Sequence, residues 1–192
     1  MTALFLPKRI DADEAARLFT RPRFGNLYGL WRSHPVRRTP EGRPASIERI
    51  WMPAYAFRLA LTKGAIRSAT WVSVDASFGG FALFERVNEL AEGQEEDACM
   101  PPVLDASAAE SVARQGLLRY LLRRRGVKPL IEATLETRLY YAPVWVFYFH
   151  RAGRKIDLAV IDGYTGAPMG GQMRAAIVNA FIRQRKTGGN PA

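Results

Sequence analysis

The sequence has few of the residues on which disulfide, metal and histidine chemistry depend. Its 192 residues include one cysteine, Cys99, and two histidines. A single cysteine excludes a disulfide within the chain and a structural zinc site built from several thiolates. A histidine-based metal site would need both His34 and His150 together with carboxylates. We therefore expect neither a metal nor any other cofactor.

Catalytic motifs and long apolar segments are also missing. The sequence contains no G-x-S-x-G, no G-x-x-x-x-G-K-[ST], no G-x-G-x-x-G and no H-E-x-x-H. No segment approaches the roughly 18 uninterrupted apolar residues of a transmembrane helix. The first 19 residues lack the order of a signal peptide, in which a basic segment precedes a longer apolar one. These absences favour a cytoplasmic, non-enzymatic protein without a membrane span.

Positive charge is abundant but unevenly distributed. The chain has 28 Lys and Arg against 18 Asp and Glu, a net charge of +10. Residues 1–84 carry a net +7, residues 85–110 a net −7, and residues 111–192 a net +10. A basic surface attracts nucleic acid, anionic lipid or an acidic protein. The alternative is an arginine-rich surface that is simply solvated.

Hydrophobic periodicity and turn residues predict an α+β protein. Asp11 and Glu14 mark a first helix start, Ser107 and Glu110 form a capping box for a second helix, and a third helix follows near the end. Pro53 and Pro143 are expected to interrupt their strands. The predicted helices extend from Asp11 to about Pro22, from Ser107 to about Arg125 and over 172–184. The expected apolar stripes are Leu117, Leu118, Leu121 and Leu122 in the second helix and Met173, Ile177, Ala180 and Phe181 in the third. Strands are predicted over 46–61, 66–76, 81–87, 130–141, 144–150 and 155–161.

An imperfect repeat organises these elements. Residues 50–79 match residues 140–166, and a helix precedes each copy. The matched pairs are Pro53 with Pro143, Tyr55 with Trp145, Phe57 with Phe147, Asp75 with Asp162, and Gly79 with Gly166. We predict a first α+β repeat at 1–87, an acidic linker at 88–106 and a second repeat at 107–192. Each repeat is expected to combine a helix with an antiparallel meander.

The second copy resembles a known hairpin. It contains VWVFYF, a glycine turn, LAVID and then GYTG. This pattern is similar to the PepSY type of domain, which closes a strand–turn–strand on a V-D-x-x-T-G turn, and to a group of bacterial proteins with a Tyr-x-Pro-x-Trp strand. The resemblance covers about 130–170 and, more weakly, 46–86, where the Thr is missing. It implies a cystatin-like helix on a curved antiparallel sheet, in modules thought to bind or inhibit other proteins.

The second hairpin is the first candidate surface. Its aromatic strand has side chains on both faces, so one face meets the core and the other is covered by the protein, by a second chain or by a ligand. The carboxylates of Asp75 and Asp162 would either work as a catalytic pair or, as we favour, accept hydrogen bonds from the N–H groups of their own turns. The residues expected to form a ligand or partner surface are Tyr141, Trp145, Tyr148, Asp162 and Thr165.

The second candidate surface is basic. Residues 21–44 intersperse six arginines with aromatic side chains, a mixture that can bind single-stranded nucleic acid. The alternative is a loop whose rings pack on the protein, and the arginines that end the second helix also suit its dipole. The expected anion or nucleic-acid contacts are Arg21, Arg23, Trp31, Arg32, Arg37, Arg38, Arg123, Arg124 and Arg125.

Together these patterns predict a non-enzymatic binding module that engages an unidentified protein partner or a second copy of itself. The alternative is a protein that binds nucleic acid or an anionic surface through residues 21–43 and 119–128. A ligand-binding or catalytic cavity between helix and sheet is a third interpretation.

Overall fold

The computed structural model describes residues 3–20, 34–35, 47–93, 98–123, 128–151 and 155–188. These residues form an α+β fold of helices and mostly antiparallel strands. The helices are α1 (Ala12–Thr20), α2 (Ala106–Leu122) and α3 (Gly171–Gly188), with a 3₁₀ turn at Val87–Glu89. The strands are β1 (Ala3–Phe5), β2 (His34–Pro35), β3 (Ile47–Lys63), β4 (Ile66–Asp75), β5 (Phe81–Leu83), β6 (Ala91–Gly93), β7 (Leu130–Arg151), β8 (Lys155–Asp162) and β9 (Pro168–Met169).

The chain divides into two compact units, and neither unit is a continuous segment. The first unit combines Met1–Pro7 with Met52–Ala142, and the second combines Lys8–Trp51 with Pro143–Ala192. The long strands β3 and β7 therefore contribute residues to both units. Each unit takes residues from both halves of the predicted repeat, and residues 88–106 lie within the first unit.

The strands of the first unit follow the order β5-β4-β3-β7-β1-β6. Strands β3 and β4 pair antiparallel from Ala54 opposite Asp75 to Lys63 opposite Ile66, and β5 pairs antiparallel with β4. The predicted meander of three strands is thus confirmed. Strand β1 lies parallel to β7 and antiparallel to β6, which the sequence pattern did not indicate.

Helix α2 covers one face of this sheet. The side chains that pack together alternate along β3 and β4, as expected when one face of each strand is buried. This core consists of Tyr55, Phe57, Leu59, Val72 and Val74 from the strands, with Ala76, and of Ala109, Ala113, Leu117 and Leu121 from α2.

Two predictions about α2 are wrong. Its N-cap is Asp105, whose carboxylate accepts the N–H of Ala108 at 2.7 Å, rather than Ser107. Leu118 and Leu122 were placed in the apolar stripe with Leu117 and Leu121, yet they are 47% and 59% exposed. Successive side chains of a helix point about 100° apart. The sheet therefore buries Leu117 and Leu121 and leaves Leu118 and Leu122, the residues that directly follow them, in solvent.

The second unit places helices beside β7 and β8, which pair antiparallel from Val144 opposite Asp162 to Arg151 opposite Lys155. Helix α1 begins as predicted, because Asp11 accepts the N–H of Glu14 at 2.7 Å. Helix α3 contacts β8, and its predicted stripe is buried at Met173, Ile177 and Ala180 and half-buried at Phe181. The backbone of β2 pairs with the end of β7, and β9 pairs with β8.

The prolines do not interrupt their strands, contrary to the prediction. Strand β3 continues through Pro53 and β7 continues through Pro143. A proline removes a backbone donor but keeps its carbonyl acceptor. The Pro53 carbonyl accepts the N–H of Ala76 at 2.9 Å, and the Pro143 carbonyl accepts that of Gly163 at 2.8 Å.

Candidate functional site

The turn after β8 is held by the Asp162 carboxylate. Its Oδ1 accepts the N–H groups of Tyr164 and Thr165, each at 2.8 Å. The N–H of Gly166 donates to the Asp162 carbonyl at 2.9 Å, and Gly166 has a φ of +72°, which disfavours any residue with a side chain. The exposed Thr165 accepts the N–H of Ala167 through its hydroxyl. Asp162 and Thr165 therefore make hydrogen bonds that shape their own turn.

The turn after β4 in the first unit uses the same bonds. Oδ1 of Asp75 accepts the N–H of Ser77 at 2.7 Å and that of Phe78 at 3.2 Å. Burial raises the pKa of the Asp75 carboxyl, although the bonds from Ser77 and Phe78 act in the opposite direction. The prediction that Asp75 and Asp162 accept hydrogen bonds from their turns is confirmed, and these bonds leave each carboxylate with a structural role.

Trp145 faces the core of the second unit. It is 8% exposed, and its indole N–H donates to the carbonyl of Ile10 at 2.9 Å. Its cluster includes Ala15 from α1, and Phe19 of α1 stacks on Phe147 with 4.3 Å between ring centroids. The face of the strand that carries Trp145 and Phe147 is therefore covered by α1.

The two candidate tyrosines have different partners. Tyr148, in the second unit, is half-buried and its hydroxyl donates to Glu48 at 2.9 Å. Tyr141, in the first unit, stacks on Phe5 with 5.5 Å between centroids. Burial is the main reason that the pKa of the Tyr141 hydroxyl is raised. The five residues predicted as one surface thus belong to two separate units, four in the second and one in the first.

Arginine side chains lie over aromatic rings in the second unit. The Arg9 guanidinium is 4.4 Å from the ring centroid of Tyr164. The Arg49 guanidinium is 5.7 Å from Trp51 and 5.8 Å from Trp145. Such cation–π contacts stabilise an arginine without neutralising its charge. They keep positive charge attached to the core elements of this unit.

Most of the predicted basic contacts fall outside the described residues. This applies to Arg21, Arg23, Trp31, Arg32, Arg37, Arg38, Arg124 and Arg125. Arg123 is described, and it is exposed at the C-terminal end of α2 in the first unit.

The net charge of the protein belongs to one unit. The ranges of the second unit contain 17 Lys and Arg against 7 Asp and Glu, a net +10. The ranges of the first unit contain 11 of each, a net charge of zero. The net charges of the consecutive segments 85–110 and 111–192 do not show this division, because each unit combines two separate ranges of the sequence.

Helix α3 presents an outer face that the sequence reasoning missed. Arg174 and Arg183 are exposed, as are Val178 and Ile182, which lie one turn apart and are 42% and 47% exposed. The helix sequence contains no Asp or Glu. The signal was available, since Val178 and Ile182 have the i, i+4 spacing of a second apolar line beside the buried stripe.

A polar cluster in the first unit also escaped the sequence analysis. Oε1 of Glu110 accepts from the Thr134 hydroxyl at 2.6 Å and from the Arg114 guanidinium at 2.9 Å. The bond from Thr134, followed by that from Arg114, lowers the pKa of the Glu110 carboxyl. Another nitrogen of Arg114 donates to the carbonyl of Glu132. The cluster joins α2 to β7, so it has a clear structural role.

Among the described residues, no group of three or more His, Cys, Asp and Glu side chains is arranged to hold a metal ion. In the same part of the chain, no helix combines the length and apolar character required to cross a membrane. Comparison of the sequence and structure with family models, with curated proteins and with solved structures gives no match.

Proposed function

We propose that the protein is a non-enzymatic binding module whose second unit binds a polyanion rich in phosphate groups. The observation that carries this proposal is the separation of charge, a net +10 in the second unit against zero in the first. A general preference for arginine would raise the positive charge of both units. Both units contain many basic residues, but only the second has a surplus over its acids, and this surplus supports an electrostatic binding surface on that unit.

Two further observations support this proposal over the catalytic interpretation. The carboxylates of Asp75 and Asp162, the residues most suited to acid–base chemistry, each accept two N–H groups of their own turn. Trp145, which was predicted to belong to a ligand or partner surface, packs with α1 instead. The exposed arginines of α3 are accessible to a large anionic partner.

The predicted binding segments contribute differently to this proposal. Residues 21–43, with their arginines and aromatic residues, lie outside the described residues except for 34–35, and they stay a candidate contact from the sequence. Residues 119–128 fall within the first unit, where acidic residues balance them. The proposal therefore retains 21–43 as a candidate contact and gives 119–128 no role.

The test is the salt dependence of binding to a fluorescent single-stranded oligonucleotide and to anionic lipid vesicles. For nucleic acid, each neutralised phosphate contributes a slope of about −0.7 to −0.9 in log K against log salt. A second-unit variant, Lys8→Gln/Arg174→Gln/Arg183→Gln, should bind more weakly and with a shallower slope. A first-unit variant with the same charge change, Arg58→Gln/Arg67→Gln/Arg119→Gln, should bind like the wild type. Equal losses in both variants, or no binding to either polyanion, would contradict the proposal.

We further propose that the two hairpins are copies of one ancestral unit. Equivalent bonds support it: Asp75 and Asp162 cap their turns alike, and Pro53 and Pro143 accept from the residue that follows each aspartate. The resemblance of the second hairpin to PepSY-type domains stays a prediction. Alanine at Gly79 and at Gly166, which have φ values of +78° and +72°, should destabilise the protein in both cases. A loss at only one of them would argue against equivalent turns.

A further inference from the structure

Helix α3 has two apolar lines, and only one of them belongs to the core. Met173, Ile177 and Ala180 are buried, and they anchor the helix in the second unit. Val178 and Ile182 form the other line and remain about half exposed, at 42% and 47%. Single exposed apolar residues are common on protein surfaces, so this pair carries meaning only together with its surroundings.

Those surroundings are cationic. Arg174 lies one turn before Val178 on the same line, Arg183 directly follows Ile182, and both arginines are exposed. The residues of α3 include four Lys and Arg and no acid. The outer face of α3 thus joins two aliphatic side chains to a positive field, within the unit that carries the whole net charge.

We propose that this outer face binds the surface of an anionic phospholipid bilayer. Arg174 and Arg183 contact headgroup phosphates, and Val178 and Ile182 enter the boundary between headgroups and acyl chains. A nucleic-acid backbone would satisfy the arginines but would offer the aliphatic pair no apolar environment. A bilayer surface satisfies both kinds of side chain. This inference rests on the proposed polyanion binding and names the lipid surface as its partner.

Helix α2 provides a matched control. Leu118 and Leu122 are exposed one turn apart, and Arg119 and Arg123 follow them directly. However, Asp105 caps this helix, Glu110 lies within it, and its unit has no net charge. If any exposed aliphatic pair beside arginines bound lipid, α2 would do so as well as α3.

The experiment is flotation of the full chain with vesicles of phosphatidylcholine alone and of an equimolar mixture with phosphatidylserine. We expect binding to the mixture only, and about fivefold weaker binding for Arg174→Gln and for Arg183→Gln, since one basic residue near such a surface contributes about 1 kcal/mol. Val178→Ser/Ile182→Ser should reduce vesicle binding at unchanged net charge and leave oligonucleotide binding unaltered. Val178→Leu/Ile182→Leu should retain vesicle binding, and Leu118→Ser/Leu122→Ser should behave like the wild type.

The outcomes separate this inference from the proposal on which it rests. Binding to the oligonucleotide without binding to anionic vesicles would overturn the lipid assignment and leave the proposed function standing. Binding to neither would overturn both. Vesicle binding that falls equally with the α2 and α3 serine variants, or that is unaffected by the α3 pair, would overturn the assignment to the outer face of α3.

Discussion

The packing of α2 within the first unit predicts that Gly116→Ala does not stabilise the protein, although helix propensity alone favours alanine at this position. Gly116 lies within α2, where alanine is normally favoured by about 1 kcal/mol. A Cβ built on Gly116 would overlap ring atoms Cγ and Cδ2 of Phe81 and would lie 2.9 Å from the Cβ of Phe81. Extra volume in a packed contact costs about 1–3 kcal/mol. Gly116→Ala should therefore leave stability unchanged or lower the free energy of unfolding by up to about 2 kcal/mol.

A double-mutant cycle isolates the packing contribution. Phe81→Ala removes the overlapping ring and keeps only the Cβ at 2.9 Å, so in that background Gly116→Ala should be more favourable than in the intact protein by about 1 kcal/mol or more. Unfolding in urea, followed by circular dichroism, gives the four free energies, and the coupling between the two sites should be at least about 1 kcal/mol. If Gly116→Ala stabilises the intact protein as much as the Phe81→Ala variant, the helix does not pack on Phe81 as described.

Three further predictions follow from the described bonds, each measured by urea unfolding. Asp105→Ala should cost about 1 kcal/mol, typical of a lost N-cap, whereas Ser107→Ala should change stability little; the reverse order would restore the capping box as the helix start. Because burial raises the Asp75 pKa, the neutral form stabilises the fold below the ordinary aspartate pKa of about 3.9, and this stabilisation is lost as the pH rises through the raised value. Asp75→Asn should therefore gain stability relative to the wild type between pH 3 and pH 7, and a difference independent of pH would contradict the burial argument. Trp145→Phe should cost about 1–3 kcal/mol because the Ile10 carbonyl loses its donor, and an unchanged stability would mean that this bond contributes nothing.

Features that depend on local chemistry were predictable from the sequence. Asp11 as a cap and the aspartate-to-glycine turns at Asp75 and Asp162 follow from residues within a few positions of one another. The glycines of these turns adopt a positive φ, as local turn chemistry requires at Gly79 and Gly166. In each case the decisive hydrogen bonds join neighbours in the sequence.

Features that depend on distant residues were not predictable in the same way. Pro143 was expected to end a strand, but β7 continues through it, and the Pro143 carbonyl accepts the N–H of Gly163 from the distant GYTG turn. The exposure of Leu118 and Leu122 depends on where the sheet lies relative to α2. Net charge was known from composition, but its assignment to one unit required the unit boundaries within β3 and β7.

The candidate surface shows the same limit. One face of the aromatic strand was expected to meet the core, but the sequence could not identify α1 as the element that packs there, because Phe19 and Phe147 are far apart in the chain. The outer face of α3 was visible in the spacing of Val178 and Ile182. Its exposure to solvent became clear only from the structure, in which Met173 and Ile177 on the opposite side of the helix are buried in the core.

The glycine turns show how the helices relate to the hairpins within each unit. A Cβ on Gly79 would contact Leu104 and Val112, and a Cβ on Gly166 would contact Ile10 and Leu18. In both units the contacted pair is the residue before the helix N-cap and the residue seven positions after that cap. The relation is the same, yet α1 precedes the first copy in the chain and packs on the second, while α2 precedes the second copy and contacts the turn of the first. If the hairpins are copies of one unit, the helices have exchanged partners, and this exchange accounts for a second unit that combines α1 with the distant residues 143–192.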